Sequence, residues 1–325
     1  MLQPVASRSA LQAVPLHAAP DIAVLIPCFN EEVAIGKVVR DFRAALPHAR
    51  IFVYDNNSSD ATMAVARAAG AIVCSENLQG KGNVVRRMFS DIEADVYIMV
   101  DGDDTYDAAA APAMVDLLFE QDLDCVNGAR RCEGAGAYRN GHQFGNWLLT
   151  ALVARLFGRA TRDMLTGYRV FTRRFVKSLP VLSAGFEIET ELTVHTLEMR
   201  MRVADVDTRY GGRPEGSSSK LRTYSDGWKI LKMIIGLLKQ ERPLMFFNAI
   251  AGVGVALALI LFAPVLMEYL ATGQVRRLPT AILAATIVSL SVISVACGLI
   301  LDTVTRGRKE LKRLMYLQFS KREAH

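Results

Sequence analysis

The chain has 325 residues, room for one large domain or two ordinary ones, with 51% hydrophobic residues, a mean hydropathy of +0.21 and a formal net charge of +5. That apolar fraction is high for a purely soluble protein, and the basic residues crowd into the last third, which suits an anionic membrane surface. No helix-turn-helix, zinc-finger or RNA-binding signature is present, so no nucleic-acid partner is expected.

The cysteines (Cys28, Cys74, Cys125, Cys132, Cys297) form no CxxC pair and read as reduced thiols; the histidines form no HExxH or comparable metal spacing. Residues 1–20 are broken by Pro4, Arg8, Gln12 and Pro15, and are expected to be a disordered tail rather than a secretory signal.

From Asp21 apolar runs alternate with amphipathic stretches. Strands are expected at Ile22–Phe29, Ile51–Asp55, Ala71–Ser75, Val96–Val100 and Cys125–Ala129. Helices are expected at Glu31–Leu46, Ala61–Ala69, Lys81–Glu93 and Ala110–Gln121. This alternation predicts an α/β fold with a mainly parallel sheet covered on both faces. Further on, helices are expected at Trp147–Phe157 and Glu187–Met201, and a short strand at Val203–Asp207.

The character changes near Asp226. Trp228, Ile230, Leu231, Ile234, Ile235 and Leu238 share a face, with Lys229, Lys232 and Lys239 elsewhere. Residues 225–242 are read as an amphipathic interfacial helix, against the alternative of an ordinary core helix. Residues 246–267 and 279–301 are long and apolar enough to be two transmembrane helices within 243–303. Lys239 and Arg242 precede the first; Arg306, Arg308, Lys309, Lys312, Arg313, Lys321 and Arg322 follow the second, in a basic tail over 304–325. The positive-inside tendency then places the catalytic domain and both termini in the cytoplasm, on an integral membrane protein. With no ionisable residue at mid-membrane the hairpin is read as an anchor, and its helices are able to pack with copies of themselves as a homo-oligomer.

In a parallel α/β sheet, ligands bind at the carboxyl ends of strands. Three polar clusters reach that edge: Pro27-Cys28-Phe29-Asn30-Glu31-Glu32, Asp55-Asn56-Asn57-Ser58-Ser59-Asp60 and Asp101-Gly102-Asp103-Asp104. Two carboxylates on one tight turn, directly after a buried strand, suit Mg²⁺ or Mn²⁺ shared with a diphosphate; alone, Asp-x-Asp occurs in many turns. Asp60 is read as a helix cap. Gly80-Lys81-Gly82 lacks the rest of a P-loop, and Lys81 faces either a phosphate or solvent. Glu187, Glu189 and Glu191 are read either as sugar contacts or as a solvated helix face.

These clusters, with Gly80-Lys81-Gly82, Asp163-Met164-Leu165-Thr166-Gly167-Tyr168-Arg169 and Arg213-Pro214-Glu215-Gly216-Ser217-Ser218-Ser219-Lys220, resemble family 2 glycosyltransferases of GT-A fold, more narrowly the polyprenyl-phosphate glycosyltransferases. The resemblance runs from about Ile22 to the membrane helices and implies a GT-A catalytic domain over 21–224. It implies a nucleotide-sugar donor pocket using Pro27, Phe29, Glu31, Asp55 and Asn56, and a metal held by Asp101 and Asp103 beside Gly102. Arg130, Arg213, Ser219 and Lys220 are implied phosphate contacts, with Asp103, Arg130 and Lys220 the catalytic set; Lys81 is counted with the donor-binding residues on the first of its two readings.

Asn56, where the family often has a second Asp, and Asp104-Thr105-Tyr106 depart from the family pattern. The implied reaction is metal-dependent, inverting sugar transfer to polyprenyl phosphate. The competing expectations are a processive polysaccharide synthase, for which QxxRW is absent, and a catalytically silent scaffold.

Overall fold

The computed structural model describes residues 19–132, 158, 161–212, 232, 235, 236 and 238–319. The expected helix at 147–157, Trp228, Arg213, Ser219 and Lys220 lie outside them, as does most of the 225–242 segment.

The first strands are apolar runs because both of their faces are buried. In β1 (Ile22–Cys28), Val24 and Ile26 enter one core while Ala23 and Leu25 enter the other. The first core is closed by α1 (Ile35–Ala45), α2 (Thr62–Ala68) and α4 (Ala111–Glu120). The second is closed by α3 (Lys81–Asp91), α5 (Arg173–Ser178) and α6 (Ile188–Glu198). The remaining strands are β2 (Arg50–Asp55), β3 (Ile72–Ser75), β4 (Val96–Met99), β5 (Cys125–Cys132), β6 (Arg169–Thr172) and β7 (Val203–Tyr210).

The sheet order is β3-β2-β1-β4-β6-β5-β7. Only β6 runs against its neighbours, pairing antiparallel with both β4 and β5. As a result β1, β2, β4 and β5 all end at one edge, with Cys28 level with Asp55. The expected mainly parallel sheet is present, and β6 and α5 are additions to it.

Two long helices follow, α7 (Pro243–Thr272) and α8 (Leu278–Gln318), both long and apolar enough to cross a membrane. Gly273 ends α7 in the left-handed region, its N–H donating to Tyr269 O. The buried seam of the hairpin recurs every seven residues, with Ala251, Ala258 and Val265 on α7 and Ala284, Ser291, Gly298 and Thr305 on α8. Small residues let the backbones approach; a Cβ on Gly254 would collide with Ser291 Oγ. Large apolar side chains such as Leu259, Ile260, Leu270, Val292 and Ile300 point outward.

Unbroken, α8 continues past its apolar stretch through the expected basic tail as far as Gln318. From Asp302 that extension is about 25 Å long at 1.5 Å per residue. Along it Thr305 Oγ1 donates to Gln240 O, and Arg308 pairs with Glu241 at 2.6 Å. Lys312 pairs with Glu198 at the end of α6 at 2.8 Å, and the Tyr316 hydroxyl donates to Asp124 Oδ1 at 2.9 Å. Asp124 precedes β5, so α8 is fastened to the sheet edge opposite the acidic turn.

Candidate active site

The loops after β1 and β2 are laced together by short polar side chains. Asn30, at φ 52°, accepts from Ser59 N through Oδ1, while Glu32 accepts from Ala61 N. Asp60 accepts from both Thr62 N and Thr62 Oγ1, but the N-cap of α2 is Ala61, without a side-chain cap, so Asp60, the expected cap, stands one residue ahead of the capping position. Asp55 is buried at the end of β2. Its Oδ2 accepts from Ser58 N at 3.0 Å, and its Oδ1 has no hydrogen-bond partner. Asn56 is engaged differently: its amide donates to Glu76 O and Leu78 O and accepts from Gly80 N. Its contribution is to hold the loop that leads into Lys81.

Gly80 and Gly82 are required by packing. A Cβ on either would strike the backbone carbonyl of Ala184 or Ser183. That 181–185 segment is itself clamped. Leu182 N and Ser183 N donate to the Glu191 carboxylate at 2.7 and 2.8 Å, while Arg86 donates to the carbonyls of Val181, Leu182 and Ser183. The reading of Glu189 and Glu191 as a solvated helix face is therefore corrected: both are buried. Lys81 is mostly covered rather than directed into open solvent. Its ammonium donates to Asp101 Oδ1 and Glu189 Oε1, each at 2.5 Å. Burial works against that charge, but Asp101 and Glu189 outweigh it and hold the ammonium above the usual lysine range; burial also pushes the Glu189 carboxyl up.

The acidic turn rests on the end of β1. A Cβ on Gly102 would lie 2.5 Å from Cys28 Sγ, so glycine is needed for protein packing there. Burial, then the charges of Glu31, Asp55, Asp101 and Asp103, push the Cys28 thiol well up. Those charges register the convergence of four carboxylates from three separate loops. Asp103 Oδ1 accepts from Thr105 Oγ1 at 2.6 Å, and Asp104, at φ 58°, pairs with Lys37.

Behind Asp101 lies Gly167, where a Cβ would occupy the position of Asp101 Oδ2; its N–H donates to the Tyr106 hydroxyl. Arg169, fully buried, donates to the carbonyls of Met164, Thr166 and Glu189 and to Thr193 Oγ1. It thereby ties the 164–167 turn to α6. Arg130, at the end of β5, is held by Asp163 through two hydrogen bonds of 2.6 and 2.8 Å and lies over the Tyr210 ring.

Pro27, Phe29, Glu31, Asp55, Asn56, Lys81, Asp101, Gly102, Asp103 and Arg130 all lie at the carboxyl edge formed by β1, β2, β4 and β5. Sequence reading named Gly167, Arg169 and Glu191 without assigning them this supporting role, and it missed the 181–185 segment. An arginine opening an otherwise apolar strand at 169 was the available signal.

The residues fit a hard divalent cation that keeps coordination places for a diphosphate. Asp101 and Asp103 supply oxygen donors on one turn, and no group of three or more metal-binding side chains exists among the described residues. The unpartnered Asp55 Oδ1 is an acceptor to which a nucleoside N–H or O–H can donate.

The sequence model of Glycosyl transferase family 2 matches residues 23–179. Glycosyltransferase AglJ of Haloferax volcanii is 33% identical over 305 residues, covering 92% of this chain and 99% of that protein. The dolichyl-phosphate hexose transferase of the same organism is 28% identical over 222 residues, covering 68% and 96%. Among solved structures, Mycobacterium tuberculosis glucosyl-3-phosphoglycerate synthase in complex with Mn²⁺, uridine diphosphate and phosphoglyceric acid superposes with a TM-score of 0.56. Identity is 23%, over 68% of this chain and 78% of that one. The fold is therefore of the GT-A kind, the architecture of a sugar-transferring enzyme. The chain belongs to glycosyl transferase family 2.

Proposed function

We infer that this glycosyltransferase moves a sugar from a UDP- or GDP-sugar to polyprenyl phosphate at the cytoplasmic face of a membrane, with inversion at the anomeric carbon. The observation that carries this reading is the docking of α8. A family 2 site is joined to an apolar hairpin by one continuous helix, fastened through Lys312–Glu198 and Tyr316–Asp124. Such a joint fixes the site relative to a bilayer, which an acceptor with a membrane-embedded tail requires. The activity named for the dolichyl-phosphate hexose transferase relative supports the same acceptor class.

Phe29, Pro27, Glu31 and Asp55 bind the nucleoside, Asp55 through its unpartnered oxygen. Asp101 and Asp103 hold Mg²⁺ or Mn²⁺, which when bound offsets the charge of the departing diphosphate. Arg130, with Arg213, Ser219 and Lys220, receives phosphate oxygens. The acceptor phosphate has a second pKa of about 6, so it needs positioning more than a general base. Its oxygen forms the new bond to the anomeric carbon as the bond to the nucleoside diphosphate breaks. The basic residues flanking both spans support a cytoplasmic catalytic domain and cytoplasmic termini.

The test is detergent-solubilised protein with Mn²⁺ or Mg²⁺, a panel of UDP- and GDP-sugars and a short polyprenyl phosphate. Nucleoside diphosphate release that depends on both lipid and metal, with one donor, is expected. Release that ignores the lipid for every donor would contradict the acceptor assignment.

A further inference from the structure

Lys81 is the motif residue whose contacts least resemble a phosphate ligand. Gly80 and Gly82 press its backbone against the 183–184 carbonyls, so its starting point is fixed. From there its ammonium spans two carboxylates, Asp101 Oδ1 and Glu189 Oε1, with a side chain only 10% exposed. Asp101 is also one of the two carboxylates of the acidic turn.

A divalent cation and an ammonium held by the same carboxylate repel each other, and Asp101, its side chain 29% exposed, is only partly screened by solvent. A diphosphate relieves the conflict, because it offers the ammonium several anionic oxygens of its own. Glu189 is the second anchor, and Arg169 holds its backbone carbonyl, so the cation has a defined place from which to leave.

Resting on the donor and metal roles inferred above, we propose that Lys81 is a tethered counter-ion that competes with the divalent cation for Asp101 and yields it to the metal only when a nucleoside diphosphate draws the ammonium away. Metal and nucleotide then bind interdependently, and a metal ion without a donor is poorly held.

The experiment is titration of the full-length, detergent-solubilised protein with Mn²⁺, following free Mn²⁺ by electron paramagnetic resonance, with and without UDP or GDP. In the unaltered protein nucleotide should tighten Mn²⁺ binding about ten-fold or more, within the usual range of such couplings. Lys81→Met should bind Mn²⁺ without nucleotide about ten-fold more tightly than the unaltered protein, and lose most of the coupling. Lys81→Arg, which keeps the charge, should behave like the unaltered protein. Glu189→Gln leaves the ammonium wholly to Asp101 and should weaken nucleotide-free Mn²⁺ binding. That variant decides the matter if Lys81→Met does not hold its near-ultraviolet circular dichroism.

Unchanged or weaker nucleotide-free binding in folded Lys81→Met, or tighter binding in Glu189→Gln, would overturn the inference while leaving the donor reading intact. A protein that binds no Mn²⁺ even with saturating UDP or GDP would instead overturn the donor reading, and this inference with it.

Discussion

Two aspartates are almost equally buried at opposite edges of one sheet, Asp55 at 3% exposure and Asp124 at 2%. Asp124 is saturated: Arg174 Nε donates to it at 2.5 Å, the Tyr316 hydroxyl at 2.9 Å and Arg202 N at 3.1 Å. Asp55 has one backbone donor and an oxygen with none. Burying an unsatisfied carboxylate oxygen is costly. On the proposed reading the nucleoside supplies the missing donor at the carboxyl edge, whereas the amino edge is completed by the protein's own α8. One edge leaves an acceptor oxygen open, and the other holds the long helix α8.

Substitutions at the two edges should therefore separate activity from stability. The largest effect is expected from Asp103→Ala, with turnover falling about 10³-fold or more while the protein stays folded and membrane-bound. Steady-state rates alongside circular dichroism check it, and substantial retained activity would remove Asp103 from the metal site. Next, Asp124→Ala should cost roughly 3 kcal/mol, because it strands Arg174 and frees Tyr316. Thermal unfolding in detergent reads this, and proteolysis near Phe319 should rise as the end of α8 lifts away.

Asp55→Asn should weaken nucleotide binding about ten-fold, about 1.4 kcal/mol, without lowering the melting temperature. A clear loss of stability instead would mean that Asp55 is as structural as Asp124.

The smallest effect concerns His195, buried on α6 with Nε2 3.1 Å from Ser178 Oγ and Nδ1 without a partner. Burial, then the charge of Lys312, pushes its pKa down to about 3. Since the folded value lies below the ordinary histidine value of about 6.5, the unfolded chain binds the extra proton between them. Its contribution to stability is complete above about pH 6.5 and is lost as the pH falls towards 3. Between pH 6 and 5 the loss should be about 1 kcal/mol, visible as a falling melting temperature that His195→Gln flattens.

The edges also differ in how much of them could be read from sequence. Strands β1, β2 and β4 were legible because burial on both faces makes them continuous apolar runs, and their polar ends declared the ligand edge. Strand β6 was not: it is four residues long, opens with the buried Arg169 and runs against its neighbours. Asp55, Asp101 and Asp103 could be placed from their position at strand ends. The roles of Asn56, Gly80, Gly82, Glu189 and Glu191 could not, because contacts with residues as many as 108 positions away determine them. The basic segment after residue 304 looked like a tail because its anchors, Glu198 and Asp124, lie far back in the chain.

The most direct test of the central claim is the chemistry of the product. The lipid fraction after reaction with the preferred donor should contain polyprenyl phosphate heavier by one sugar, with anomeric configuration opposite to that of the donor by NMR. A sugar found only on water-soluble products, or a lipid-linked sugar with the donor's configuration retained, would contradict the account.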